Sequence, residues 1–163
     1  MLFEETLSEF LSGYKSLLIV GVGNRMRGDD AAGCSAISRM KGKVKGNVAL
    51  MDCGETPENY TGEMKRLSPS HILFIDAVEM GAKPGEFRFV DEELLITRSL
   101  STHKQSMRLL FSVLREGIPG VKIMLLGIQP KSIDFGKGIS KPVNEGLRTM
   151  VRRLIYMIGE DAN

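Results

Sequence analysis

The chain has 163 residues, which suits one domain with a hydrophobic core and leaves little room for a second. Its 42% hydrophobic and 26% charged residues are typical of a globular protein, and no apolar run reaches the roughly 20 residues of a membrane-spanning helix. The net charge of only +2 provides no strong field to attract nucleic acid or anionic lipid, so we expect no nucleic-acid partner and no membrane insertion.

The spacing of apolar residues predicts helices and strands that alternate along the chain. Residues 1–15 have the spacing of an amphipathic helix, which we expect to pack as an extra element on a single domain, 1–163. Further helices are predicted at residues 31–43, 56–67, 104–116 and 144–158. Strands are predicted at residues 16–23, 47–54, 71–81, 85–91 and 121–130. This alternation favours an α/β fold with a largely parallel sheet covered on both faces.

Ligands in such folds bind where the carboxyl ends of the strands separate, so the turn after the first strand is the first candidate site. This turn, GVGNRMRGDDAAG, resembles a phosphate-binding loop, but Met26 occupies the third glycine position of a dinucleotide fingerprint. Asp29 and Asp30 would also repel a pyrophosphate, which disfavours a flavodoxin-like nucleotide-binding protein. One aspartate can cap the following helix while the other faces a cation, and the residues alone do not say which.

A second carboxylate, Asp76, ends the apolar run HILFID. Burying an aspartate is costly unless it is paired, capping or coordinating, so we favour a functional role. Of the two histidines, His71 begins a strand and is predicted on the surface, whereas His103 lies where a polar loop meets a helix. One aspartate of the Asp29–Asp30 pair, together with Asp76 and His103, would form an oxygen–nitrogen ligand set for a divalent transition metal.

The two cysteines, Cys34 and Cys53, lack CxxC spacing and predict neither a disulfide framework nor a zinc site. Cys34 suits a small core side chain, while Cys53 follows a strand and could bring a thiol to the site. The acidic N-terminal stretch is unlike a secretory signal, so we expect a cytoplasmic protein.

Five stretches carry a resemblance to a known family: IVGVGNRMRGDDAAG, DCGETPEN, ILFIDAVEMGAKPGEFRFVD, STHKQSM and LLGIQP, in this order over residues 17–130. They resemble the hydrogenase maturation endopeptidases of nickel–iron hydrogenases, an aspartic-type peptidase family, and in particular the branch that processes formate-hydrogenlyase-type large subunits. The resemblance implies a three-layer α/β/α sandwich with a twisted, mainly parallel five-stranded sheet and one antiparallel edge strand. It also implies removal of a C-terminal extension from the nickel-loaded precursor of the large subunit.

The resemblance also implies roles for individual residues. Asp30, Asp76 and His103 would recognise nickel on the substrate, with Asp30 and Asp76 as catalytic candidates. Other divalent metals could occupy this site, and no organic cofactor is expected. Weaker candidates for support or for the substrate groove are Gly23, Asn24, Asp29, Cys53, Met80 and Gln129. An alternative function is a nickel-checkpoint chaperone that binds the immature large subunit without cutting it.

Two methionines in loops beside the predicted site, Met26 and Met80, suggest how a substrate peptide could be held. The methionine side chain is flexible and polarisable, so it adapts to varied apolar partners. We therefore expect these residues to offer an apolar surface to the precursor.

Overall fold

The structure, a computed structural model, describes residues 2–97 and 104–161 and contains one five-stranded sheet. Its strands are β1 (Leu17–Gly21), β2 (Val48–Asp52), β3 (His71–Ala77), β4 (Phe87–Val90) and β5 (Lys122–Ile128). Their order across the sheet is β2-β1-β3-β5-β4, and only the edge strand β4 is antiparallel to its neighbour. The predicted mainly parallel sheet with one antiparallel edge strand is confirmed.

Helices cover both faces of this sheet. They are α1 (Phe3–Leu11), α2 (Ala32–Met40), α3 (Thr61–Leu67), α4 (Glu92–Thr97), α5 (Lys104–Gly117) and α6 (Lys141–Asp161). One hydrophobic cluster joins α1, α2 and α6 to the sheet, and a second joins α3, α4 and α5 to its other face. The three-layer α/β/α sandwich is thus confirmed. Within the described residues, no helix is long and apolar enough to cross a membrane.

The predicted elements differ from the observed ones mainly at their ends. The helix predicted at 31–43 begins at Ala32, after a 3-10 turn over Gly28–Ala31, and ends at Met40. A similar 3-10 turn, Pro57–Tyr60, precedes α3. Helix α4 was not predicted, because its six residues are too few to show a helical period.

Helix α1 packs against the body of the domain, as predicted. Leu7, Phe10 and Leu11 are buried in the cluster shared with α6, and Arg153 of α6 forms an ion pair with Glu4 at 3.3 Å. The helix therefore covers the end of the sheet at which the parallel strands begin.

The prediction that His71 lies on the surface is wrong. His71 is buried, with its ring 5.2 Å from that of Phe10 and its Nδ1 2.9 Å from Ser70 Oγ. The reason is that α1 and Tyr14 cover the start of β3, which a strand-by-strand analysis does not foresee. Burial and the charge of Lys122 lower the pKa of His71, outweighing the backbone hydrogen bond with Phe10 that acts in the opposite direction.

We expect the protein to lose stability as the pH falls from about 7.5 to 5.5. The unfolded chain binds a proton at His71 near its ordinary pKa of 6.5, whereas the folded chain binds it only at lower pH. Below the unfolded pKa the free energy of unfolding therefore decreases, by at most about 1.4 kcal/mol per pH unit, until the folded pKa is reached. Urea unfolding across this range would check this. A His71→Gln variant with the same pH dependence as the wild type would contradict it.

The strand order creates a crevice at the carboxyl ends of the parallel strands. After β1 the chain first forms β2 on one side and then β3 on the other side of β1. At such a reversal the connections diverge and leave space at the carboxyl ends of the two central strands. We call this space the β1–β3 crevice. It is where the predicted site residues have to be sought.

Candidate functional site

Asp30 lies at the β1–β3 crevice, in the 3-10 turn between β1 and α2. Its Oδ2 accepts a hydrogen bond from the backbone N–H of Asn24 at 3.0 Å, which orients the carboxylate, and its side chain is partly exposed. Asn24 also accepts a hydrogen bond from the Met26 N–H and donates one to Glu55 Oε1. Asn24 therefore orders the turn through these hydrogen bonds, and Asp30 remains accessible to a ligand.

Two glycines allow this turn to fold tightly onto the strand ends. Gly23 has a φ of +145°, and a Cβ atom there would overlap the carbonyl oxygen of Asp30. Gly33, in the first turn of α2, lies so close to β1 and β3 that a Cβ atom would overlap the carbonyl oxygens of Val22 and Ile75. The turn thus places Asp30 beside the end of β3. Two residues before that end, the carbonyl of Ile75 accepts a hydrogen bond from the Val22 N–H at 3.0 Å.

Asp76 lies near the carboxyl end of β3 and is buried, as the sequence predicted. In the sheet it is paired in register with Gly127 of β5, and its neighbour Ile75 lies opposite Gly21 of β1. The structure therefore brings Asp30 and Asp76 to the same crevice from two different segments. This arrangement follows from the rule that ligand sites form at the carboxyl ends of parallel strands.

His103 lies outside the described residues, so its predicted role remains a prediction. The next residue, Lys104, begins α5, and only four residues separate the end of α5 from the start of β5. Helix α5 therefore runs antiparallel to β5 and begins near the carboxyl ends of the parallel strands, where Asp76 lies. Within residues 2–97 and 104–161, no group of three or more histidine, cysteine or acidic side chains is placed to hold a metal ion.

Asp29 is completely buried and does not cap α2. Its Oδ2 accepts hydrogen bonds from the N–H groups of Lys131 (2.8 Å) and Ser132 (3.1 Å) and from Ser140 Oγ (2.8 Å). Its Oδ1 accepts a fourth hydrogen bond, from the Ser140 N–H at 2.7 Å. The capping role considered for Asp29 is thus wrong. Its carboxylate instead holds the loop between β5 and α6, and so supports the site indirectly.

A second polar contact fixes the other side of the turn. Arg25 donates hydrogen bonds to Asp52 Oδ2 (2.6 Å), Ser38 Oγ (3.0 Å) and the carbonyl of Cys34 (3.3 Å). The hydrogen bond to Asp52 raises the pKa of Arg25. Burial acts to raise the pKa of Asp52, but hydrogen bonds from Cys34, Arg25 and Gly54 outweigh it and hold this pKa below its ordinary value. Asp52 therefore remains an anion that ties β2 to the turn.

Both cysteine thiols are buried. Burial raises the pKa of Cys53 to about 12, and the pKa of Cys34 is raised to about 12 by burial and by its hydrogen bond with Asp52. Cys53 packs in the hydrophobic cluster that contains Met64 and Phe111. A thiol with such a pKa is neutral at physiological pH, whereas a metal ligand has to be a thiolate. The geometry gives no support to Cys53 as a soft ligand.

Gln129 and Met80 form the opposite wall of the site. Gln129 is buried, and its Oε1 accepts hydrogen bonds from the N–H groups of Met80 (2.7 Å) and Ala82 (3.2 Å). Met80 is partly buried against the hydrophobic cluster beneath α5. Gln129 therefore orders the loop that follows Asp76, while Met80 has less free surface than the sequence analysis expected.

The residues that hold the two loops in place were not predicted from the sequence: Arg25, Asp52, Lys131, Ser132 and Ser140. Asp52 ends a strand, so the strand-end rule could have singled it out. No local pattern connects Asp29 with residues more than 100 positions further along the chain. These contacts become visible only when β5 and α6 are packed beside the turn.

Comparisons with known proteins cover most of the chain. A family model described as HycI, hydrogenase maturation protease, matches residues 34–157. A putative hydrogenase maturation protease of Methanocaldococcus jannaschii is 34% identical over 96% of this chain and 96% of its own length. The hydrogenase 3 maturation protease of Escherichia coli K12 is 33% identical over 84% of this chain and 87% of its own length. The crystal structure of a NiFe hydrogenase maturation protease, HycI from Thermococcus kodakarensis, superposes with a TM-score of 0.86 at 32% identity, covering 94% of this chain and 99% of that chain.

Proposed function

Because this chain belongs to the hydrogenase maturation protease family and is therefore a peptidase, we propose that it removes the C-terminal extension from the precursor of a nickel–iron hydrogenase large subunit. Membership of this family confirms the resemblance found in the sequence. The finer features belong to the proposal: an aspartic-type reaction, a precursor that already carries nickel, and a cytoplasmic location.

The observation that carries the proposal is the pair of carboxylates at the β1–β3 crevice. Asp30 is partly exposed and held by the Asn24 N–H, and Asp76 is buried at the end of β3. Two carboxylates that differ in exposure can take different roles, one at the reacting groups and one as a fixed ligand or orienting group. His103, which precedes α5, is proposed as the third group that recognises nickel.

The reaction is the hydrolysis of a peptide bond. Water adds to the scissile carbonyl carbon, the C–N bond breaks, and the leaving amine takes up a proton. Nickel carried by the precursor would supply Lewis-acid chemistry, either by polarising this carbonyl or by activating the water. We assign Asp30 the role of accepting the proton of the water, because it is the more accessible of the two carboxylates. Asp76 would help to hold the substrate's metal beside it.

Incubation of the purified protein with nickel-loaded and with nickel-free precursor tests this function. Mass spectrometry would follow the release of the C-terminal extension from each. We expect release from the loaded precursor only. Binding without release would instead support the non-cleaving checkpoint chaperone, and equal release from both precursors would contradict the dependence on nickel.

A further inference from the structure

Three large apolar side chains are exposed beside the β1–β3 crevice. Met26 is 59% exposed, Ile133 41% and Phe135 70%. Met26 belongs to the loop after β1, and the other two belong to the loop between β5 and α6. A single exposed apolar residue is ordinary, but several on adjoining loops indicate a surface that is covered by a partner.

Hydrogen bonds join these two loops into one surface. The N–H of Gly136 donates to the carbonyl of Met26 at 2.9 Å, and the N–H of Asp29 donates to the carbonyl of Ser132 at 2.9 Å. Gly28 has a φ of +54°, and a Cβ atom there would lie only 2.7 Å from the Ser132 carbonyl oxygen. Phe135 is thus next in the chain to a residue bonded to Met26. We call Met26, Ile133 and Phe135 the apolar loop patch.

The apolar loop patch rests on a rigid base. Asp29 lies beneath the two loops and accepts four hydrogen bonds from Lys131, Ser132 and Ser140. Because the loop is already ordered in the free protein, binding a partner there costs this protein less conformational entropy. Asp29 is also bonded covalently to Asp30, so the position of the patch is fixed relative to the candidate site.

Exposed basic side chains lie on and next to the two loops that carry the patch. Arg27, Lys131 and Lys141 are exposed on the same two loops and at the start of α6. The nearby Lys137 is neutralised by Asp134 at 3.4 Å. The turn after β1 contains two aspartates, of which Asp29 is buried and Asp30 is accessible. A partner with an apolar segment bordered by acidic side chains complements this distribution.

We propose that the apolar loop patch is the docking surface for the large-subunit precursor, which binds through an apolar segment next to its cleavage site. The inference rests on the proposed function, because the patch adjoins Asp30 and a segment bound there leads directly into the β1–β3 crevice. Docking on the patch raises the affinity for the precursor, while Asp30 in the crevice acts in the chemical step.

Steady-state tail release by the full-length protein, with nickel-loaded precursor as substrate, tests this inference. A Phe135→Ser variant should raise KM by about tenfold or more with little change in kcat, since a large aromatic residue at the centre of an interface contributes much of its affinity. Tyr156→Ser is the matched control: Tyr156 is 65% exposed, near the end of α6 that is remote from the crevice. This variant should keep the wild-type KM. An unchanged KM for Phe135→Ser, or an equal rise in the control, would overturn the docking surface.

A binding measurement separates this inference from the proposed function. Failure of the wild type to release the tail would refute the proposed function, and the docking surface would then be tested by titrating the same precursor against the wild type and both variants. Equal dissociation constants for wild type and Phe135→Ser would overturn it.

Higher ionic strength should also raise the KM of the wild type, because salt screens the basic rim from an acidic partner. A KM that does not change with salt would refute the acidic border.

Discussion

Replacing Asp30 with asparagine is expected to reduce kcat/KM for tail release by about 10²- to 10⁴-fold, the usual loss when a catalytic base is removed. Asparagine has the size of aspartate, and its carbonyl oxygen can still accept the hydrogen bond from the Asn24 N–H that holds Asp30 at 3.0 Å. What is lost is the negative charge that accepts a proton or binds a cation. Because Asp30 is partly exposed, the free energy of unfolding should change by less than about 1 kcal/mol.

Single-turnover cleavage of nickel-loaded precursor, followed by mass spectrometry, would measure this effect. Asp91→Asn is the matched control, because Asp91 is an exposed aspartate that follows the end of β4 lying away from the crevice, and asparagine can still accept its hydrogen bond from the Glu93 N–H. It should cleave at the wild-type rate. A fully active Asp30→Asn variant would remove Asp30 from the mechanism, and we would then assign the proton transfer to Asp76.

The same variant distinguishes hydrolysis from nickel recognition. If Asp30 acts in the chemical step, Asp30→Asn should bind loaded precursor with nearly the wild-type dissociation constant and fail to cleave it. If Asp30 instead recognises nickel, binding of the loaded precursor should weaken to the level of the nickel-free one. The two outcomes are separable because binding and cleavage are measured independently.

The central strands could be anticipated because they are buried on both faces. A continuous apolar run such as Leu17–Gly21 or His71–Ala77 has no polar side to expose, which is typical of a parallel strand between two helical layers. The ends of the elements could not be anticipated as well. The tight turn over Gly28–Ala31 depends on contacts with β3 and with the loop after β5, and local propensity carries no information about these.

The site could be predicted only to the level of its region. Asp76 and the aspartate pair lie at strand ends, so the topology of the sheet brings them together whichever residues surround them. The choice between Asp29 and Asp30 was different, because both have the same chemistry and adjacent positions. The resemblance to the family selected Asp30, and the structure supplies a physical reason: Asp29 is buried with both oxygens bonded, while Asp30 is accessible.

The burial of His71 is another feature that the local sequence did not predict. Its sequence context, directly after a polar SPS turn, indicates an exposed strand start, yet α1 folds back over it from more than 50 residues away. The burial of a strand end depends on what packs across it, and the sequence pattern of the strand itself does not record that contact. Helix α1 therefore changes the environment of a residue far from the β1–β3 crevice.

Asp29→Ala is expected to destabilise the protein by about 3–5 kcal/mol, the largest loss of stability among the substitutions discussed. The change would leave the N–H groups of Lys131, Ser132 and Ser140 without their acceptor. A buried N–H that loses its partner costs about 1–3 kcal/mol, and these three hydrogen bonds, being only part-buried, lie near the lower end of that range. The cavity left by the carboxylate brings the loss to about 3–5 kcal/mol. Urea unfolding with linear extrapolation would measure the difference from the wild type.

The result has to differ from that of the neighbouring aspartate, because the two carboxylates have different partners. Asp29→Asn should lie between alanine and wild type, since its amide oxygen keeps an acceptor but its NH₂ group faces backbone donors that it cannot satisfy. Asp30→Ala should unfold within about 1 kcal/mol of the wild type, as expected for a partly exposed side chain. An Asp29→Ala variant as stable as Asp30→Ala would contradict the structural role of Asp29. It would also show that the apolar loop patch does not depend on Asp29 for its rigidity.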